Sequence, residues 1–302
     1  MKKMYGVNVP ISTPMKEDES IDFASLERLC DYLIEKGVHG LYPNGSTGEM
    51  AYLTTQERKD VLTCCVKAVA GRTQVFSMVG APSTAETIEL ARHAEKCGAD
   101  GIGVVTPYYF KLDDSELLEH FVKVAGSVSK DFPVYLYGIP QLAINDLTVA
   151  MSQRIMEAAP NVVGIKYSYP DMPRIMQLMN VGERQFSVLN GPDDLFYVTL
   201  CAGGDGVITG NGNAIPEHFV AIYDAFKAGN HELARELQRK TNQLIGVISG
   251  KNHMAGYKAL LKYRGVIATR QTRSPLRPLT DAENAALIEK VEALHYTDVT
   301  KL

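Results

Sequence analysis

The feature that most constrains this chain is a repeating alternation: short apolar runs separated by longer amphipathic ones, with the same punctuation at three junctions. Gly37-Val38-His39-Gly40, Gly98-Ala99-Asp100-Gly101 and Gly203-Gly204-Asp205-Gly206 each close a helical pattern and open an apolar run. The first glycine suits the left-handed residue that ends a helix, and the second permits close packing where a strand begins. Eight runs read as strands: Tyr5–Val9, Gly40–Pro43, Gln74–Gly80, Gly101–Thr106, Val134–Tyr137, Val162–Lys166, Ser187–Asn190 and Gly206–Thr209. Between them lie stripes such as Phe23, Leu26, Leu29, Cys30, Leu33 and Ile34, the spacing of a helix with one apolar face. Thr54/Glu57, Ser83/Glu86, Asp113/Glu116 and Thr280/Glu283 match the capping box at helix starts.

Strands alternating with helices imply a parallel sheet with right-handed crossovers. Eight units within about 210 residues close as a barrel, and no GxGxxG follows the first strand to favour an open doubly wound sheet. The expected fold is therefore a (β/α)8 TIM barrel over residues 1–228 with a C-terminal helical appendage of the same domain over 229–302. The appendage carries helical patterns at His231–Gly250, Met254–Tyr263 and Asp281–Leu294.

Composition narrows the function classes. Lys+Arg 31 against Asp+Glu 35 gives a net charge of −4 without a basic run, which argues against nucleic acid as a partner. The start Met1–Val7 lacks the apolar stretch of a signal peptide, and no run is long enough to span a membrane. Five cysteines without CxxC spacing fit reduced thiols, so the expected location is cytoplasmic. The seven histidines form no set at strand ends and there is no HExxH, so a catalytic metal is not expected. Gly246–Lys251 approximates a phosphate loop but is one residue short, and is set aside.

In a barrel of this kind chemistry sits after the strands. Strand 2 runs into Asn44-Gly45-Ser46-Thr47-Gly48-Glu49, either an anion-binding nest or a tight turn. Strand 5 ends in Tyr137-Gly138-Ile139-Pro140; Tyr137 is an acid/base candidate or a packing residue with a wet hydroxyl. Strand 6 ends in Lys166, which by strict alternation shares a face with Val162 and Gly164, opposite Val163 and Ile165. A lysine inside a barrel is rare unless paired or reactive. Desolvation disfavours an ammonium and yields an amine able to attack a carbonyl. The alternative is a lysine reaching a carboxylate at the barrel top. Strand 7 leads to Gly191-Pro192-Asp193-Asp194, where Asp193 either binds a ligand or caps the next helix.

Together, Gly45-Ser46-Thr47-Gly48-Glu49, Tyr137-Gly138-Ile139-Pro140 and Gly164-Ile165-Lys166 resemble the dihydrodipicolinate synthase / N-acetylneuraminate lyase family of pyruvate-dependent class I aldolases. The resemblance extends to the closing Ser274-Pro275-Leu276-Arg277-Pro278-Leu279. It implies Lys166 as the Schiff-base lysine, Tyr137 as the proton shuttle, and Ser46 and Thr47 on the pyruvate carboxylate, with Ser46 also in the proton relay. It implies Tyr109 as a residue given to a neighbouring subunit's site, hence a homo-oligomer, usually a dimer of dimers, and small-molecule 2-oxo acid and aldehyde substrates without an added cofactor.

Dihydrodipicolinate synthases carry an arginine where this chain has Leu142, so the N-acetylneuraminate lyase branch is the better likeness. On that likeness Ser168, Gly191, Asp193 and Asp194 match the polyhydroxy-tail site. A lyase serine falls at Gly210, and Asp194 stands where glutamate is common. The expected reaction is cleavage of a 2-oxo-3-deoxy sugar acid, N-acetylneuraminate first, to pyruvate and an aldehyde. Alternatives are a 2-keto-3-deoxygluconate-type aldolase, dihydrodipicolinate synthase, or a non-catalytic keto-acid-binding member of the family.

Overall fold

Residues 1–250 and 253–301 are described by a computed structural model. Lys251 and Asn252, which end the set-aside Gly246–Lys251 run and follow it, lie outside the described residues. Eight parallel strands close into a barrel in chain order: β1 (Gly6–Val9), β2 (Gly40–Leu41), β3 (Gln74–Met78), β4 (Gly101–Val105), β5 (Val134–Gly138), β6 (Val162–Tyr167), β7 (Ser187–Asn190) and β8 (Gly206–Ile208). Interleaved with them are helices α1 (Phe23–Glu35), α2 (Thr55–Val69), α3 (Thr84–Lys96), α4 (Asp114–Ala125), a single turn α5 (Pro140–Ala143), α6 (Val149–Ala158), α7 (Met172–Leu178), α8 (Phe196–Ala202) and α9 (Pro216–Lys227). Three more follow: α10 (His231–Ile248), α11 (His253–Tyr263) and α12 (Asp281–Ala293). This is a TIM barrel, and each strand lies within a few residues of its expected position.

The junction glycines act as their spacing predicts. Gly203 ends α8 at φ +102°, and Gly206 opens β8 so close to β1 that a Cβ would stand 2.1 Å from the Gly6 carbonyl oxygen. Reciprocal capping boxes form at Thr54/Glu57, Asp113/Glu116 and Thr280/Glu283. At Ser83 only half of one forms, because the Glu86 carboxylate instead accepts a hydrogen bond from the Thr55 hydroxyl.

The apolar side chains separate into two cores. The outer one lies between strands and helices and also takes in Leu244, Leu260 and Leu287 from α10, α11 and α12. The inner one fills the lumen with Met4, Phe76, Met78, Tyr135, Val163, Leu189 and Ile208, topped by Tyr42 and Tyr137. Strict alternation along β6 fails at one point. Val162 belongs to the outer core and Val163 to the inner, the reverse of the expected faces. The cause is a register shift: Val134 pairs with Val162 but Tyr135 pairs with Gly164, so Val163 is an extra residue that turns the strand. Beyond it alternation resumes, with Ile165 and Tyr167 outward.

The two glycines of the Gly203–Gly206 junction differ in what they require. Gly203→Ala meets only the left-handed backbone penalty and is expected to lower stability by about 1 kcal/mol. Gly206→Ala forces β8 from β1 and is expected to cost about 3 kcal/mol. Urea unfolding of both variants checks the order.

Candidate active site

The barrel mouth is assembled from strand ends. β5 and β6 pair in parallel with Tyr137 beside Lys166, so neighbouring backbone positions aim both at the top of the lumen. Lys166 is 5% exposed and its Nζ lies 4.1 Å from the centroid of the Tyr137 ring. It carries no ion pair or hydrogen bond among the described residues, so the alternative of a lysine reaching a barrel-top carboxylate is not what the fold builds. Gly138 is required at its position because a Cβ there would lie 2.8 Å from the Tyr167 ring.

The loop after β2 begins at Asn44, with φ +63°, and ends at Glu49, with φ +61°. Asparagine tolerates that conformation; glutamate does so at a cost. A buried ion pair holds it there. Lys258 on α11 reaches the Glu49 carboxylate, with both side chains essentially excluded from solvent. The second Glu49 oxygen accepts the Arg273 backbone N–H at 2.7 Å, and Lys258 also donates to the Gln271 carbonyl at 2.9 Å. Between the two ends, Ser46–Gly48 form a single 3-10 turn. The N–H of Gly48 and of Glu49 are used inside the turn, donating to Gly45 and Ser46. The amides and hydroxyls of Ser46 and Thr47 make no hydrogen bond among the described residues, as an oxyanion cradle needs.

One cavity of about 510 Å³ is lined by Ser46, Thr47, Tyr137, Lys166, Ser168, Gly191, Asp193 and Asp194. The structure therefore brings together every one of the expected site residues except Tyr109. Tyr109 is 81% exposed, at φ +85°, and packs edge-on against exposed Phe110 beside a separate groove lined by Pro82, Tyr108 and His120. Gly191 is fitted to Ser168, whose Oγ would lie 1.9 Å from a Cβ at position 191.

Asp193 does not cap the following helix. One of its carboxylate oxygens accepts from the Asn211 side-chain amide at 2.7 Å and, at 3.3 Å, from the Asn211 backbone N–H. Burial pushes its pKa up to about 6 against the opposing pull of Asn211, Thr209 and the Lys166 charge.

Asn211 lines the cavity after β8, and a reading by strand ends misses the wall residues Ile245 on α10, Ser249 at its end, and His253 and Tyr257 on α11. Ser249 donates to the Asn211 side chain at 3.1 Å. Tyr257 is buried, and its phenol is raised by burial and by Asp193. A Cβ at Gly210 would lie 3.0 Å from the Tyr257 hydroxyl and 3.3 Å from that of Thr47, so a serine there would make a tight contact with both. Only the Asn211-Gly212-Asn213 run after the last strand signalled any of this in the sequence.

Comparison with known proteins gives the family. The model of the dihydrodipicolinate synthetase family matches residues 3–294. The chain belongs to that family. A probable 2-dehydro-3-deoxy-D-pentonate aldolase, YjhH of Escherichia coli K12, is 35% identical over 87% of each chain. Among solved structures, YagE of E. coli K12, a member of the family in complex with pyruvate, superposes with a TM-score of 0.92 at 31% identity, covering 97% of this chain and 99% of its own. A catalytic-lysine mutant of Ruminococcus gnavus sialic acid aldolase gives 0.93 at 28% identity, covering 99% and 98%. This dihydrodipicolinate synthetase family chain is accordingly an enzyme, a carbon–carbon lyase of the pyruvate-dependent class I aldolases. The reading as a non-catalytic keto-acid binder drops out.

Lys258→Met strands Glu49 as a buried unpaired charge, with an expected loss of about 3–5 kcal/mol in urea unfolding. Adding Glu49→Gln recovers part of it. For Asp193 the native state binds its proton more tightly than the unfolded chain, so stability falls as pH rises from about 4 to about 6. Asp193→Asn is expected to remove that fall and to gain about 1–3 kcal/mol at pH 7, read from unfolding midpoints at pH 4 and 7.

Proposed function

We propose that the enzyme cleaves a 2-oxo-3-deoxy sugar acid to pyruvate and an aldehyde through a Schiff base on Lys166. The observation that carries this reading is the buried, unpaired Lys166 amine set beside Tyr137 at the head of the cavity. Nζ attacks the 2-oxo carbon, and loss of water leaves a protonated imine. That imine is an electron sink. As the C4 hydroxyl gives its proton to the Tyr137 oxygen, the C3–C4 bond breaks, the aldehyde departs and its bonding pair enters the pyruvate enamine. Reprotonation at C3 and hydrolysis return pyruvate and the free lysine. Tyrosine ordinarily ionises near pH 10, so the shuttle needs a donor to support its anionic form, the part given to Ser46. The free amides of Ser46 and Thr47 and the Thr47 hydroxyl take the substrate carboxylate and so orient the 2-oxo carbon toward Nζ.

The aldehyde half lies against Ser168, Asp193, Asp194 and Asn211, acceptors and donors suited to a row of hydroxyls. Leu142 stands exposed at the same mouth and supplies no charge for the second carboxylate of an aspartate-semialdehyde. We favour an unbranched sugar acid of pentonate or hexonate type, because Gly210 offers no hydroxyl where the N-acetylneuraminate lyase branch carries a serine. N-acetylneuraminate is the second reading, supported by the Ser46-Thr47 pair and by Ser168 with Asp193. Exposed Tyr109 and Phe110 support a homodimer in which Tyr109 enters the partner's site, with two such dimers forming a tetramer.

Incubation with pyruvate and borohydride is expected to place one reduced pyruvate on Lys166, found by peptide mass spectrometry, and none in Lys166→Ala. An adduct on another lysine, or full pyruvate release by Lys166→Ala, would sink the mechanism. Tyr137→Phe is expected to keep the adduct and lower turnover by about 10²–10⁴. Pyruvate release from 2-keto-3-deoxygluconate, its pentonate analogue and N-acetylneuraminate ranks the substrates.

A further inference from the structure

Tyr42 follows the last paired residue of β2 and tops the inner core. It is completely buried, and its hydroxyl has no hydrogen-bond partner among the described residues. Room for that hydroxyl comes from Gly103 on β4, where a Cβ would lie 1.7 Å from it. The barrel thus leaves one wall position without a side chain, and the Tyr42 phenol fills it among the apolar residues of the inner core. The ring also faces Lys166. The Lys166 nitrogen is 5.4 Å from the Tyr42 ring centroid and 4.1 Å from that of Tyr137. Both distances fall within the roughly 6 Å over which an aromatic face attracts a cation. Burial, and Tyr137 next to it, keep the Tyr42 phenol well above its ordinary pKa, so it meets the lysine as a neutral ring and not as an acid or base.

We propose that Tyr42 is a positioning residue for Lys166, its ring acting with that of Tyr137 to hold the nitrogen and to stabilise the positive charge of the iminium. The proposal rests on the Schiff-base reading of Lys166. When Nζ attacks pyruvate, the N–C bond forms as the carbonyl pair moves to oxygen, and proton transfer from nitrogen to oxygen gives a neutral carbinolamine. A proton from the Tyr137 hydroxyl then lets the carbinolamine oxygen leave as water with the C–O pair, while the nitrogen lone pair completes C=N⁺ and the Tyr137 oxygen is left ready to accept a proton. The ring quadrupole attracts the charged iminium and is indifferent to the neutral carbinolamine, so it draws the equilibrium toward the adduct. Asp193, the carboxyl that also interacts with the Lys166 charge, stays intact in the comparison below.

The test is borohydride trapping over a range of pyruvate concentrations at one pH, with adduct on Lys166 counted by mass spectrometry. The chains compared are wild type, Tyr42→Leu, Tyr42→Met and Tyr42→Phe, each checked for native circular dichroism. Leu and Met are expected to raise the half-saturating pyruvate concentration by about two- to thirty-fold, the range of a cation–π contact. Tyr42→Phe, which keeps the ring, is expected to recover most of that loss. Should Leu fail to fold, the flexible Met carries the comparison. Half-saturation at the wild-type concentration in the Leu or Met variant overturns the proposal. So does a Phe variant as impaired as the aliphatic ones, which would assign the effect to the hydroxyl. A wild-type chain that forms no adduct on Lys166 would instead bring down the Schiff-base reading, and this proposal with it.

Discussion

Parallel pairing around a closed eight-stranded barrel gives each strand an inner and an outer face, and the lumen is wide enough only for side chains. Every other feature of the site depends on that limit. Met4, Phe76, Tyr135 and Val163 pack the lumen below the strand ends. Lys166 and Tyr137 stand at those ends because β5 and β6 pair with those two residues level. The register shift that inserts Val163 sets the alternation below Lys166 and leaves its side chain turned inward.

The mouth holds two buried lysines with opposite fates. Lys258 is matched to a carboxylate and a carbonyl, so its charge is compensated and its task is to fix a loop. Lys166 is offered no counterion, only the faces of aromatic rings and the more distant field of Asp193. The Lys258 nitrogen is committed to Glu49 and to the Gln271 carbonyl, whereas the Lys166 nitrogen has no such partner. The Glu49–Lys258 pair also ties the Ser46-Thr47 turn to α11, so the helices after the barrel hold the turn that would carry the substrate carboxylate.

Those helices also build the wall opposite the strands. α10 and α11 bring Ser249 and Tyr257 to Asn211, Asp193 and Thr47, and the phenol of Tyr257 lies over Gly210. In the proposed reaction the aldehyde half would meet both strand-end loops and this helical layer, whereas Lys166 and Tyr137 come from strands. One barrel can keep its chemistry while the layer above changes what aldehyde it accepts.

The sequence by itself determined the strand and helix order, the closure into a barrel and the strand ends at which Lys166, Tyr137, Ser46 and Thr47 stand. Glycine punctuation, capping pairs and apolar periodicity are local signals, and a barrel converts position along a strand directly into position in the site. Only the tertiary structure decided that Val163 is an extra residue in β6, that Asp193 binds Asn211 rather than capping a helix, and that Glu49 is held by Lys258. It alone placed Tyr42 and Tyr257. In a linear reading Tyr42 is one more apolar residue ending a strand, and Tyr257 one more aromatic on an amphipathic helix. Their roles arise from contacts across the barrel, with Gly103, Gly210 and Lys166, and no local pattern encodes which distant residue will supply the missing Cβ or the facing charge.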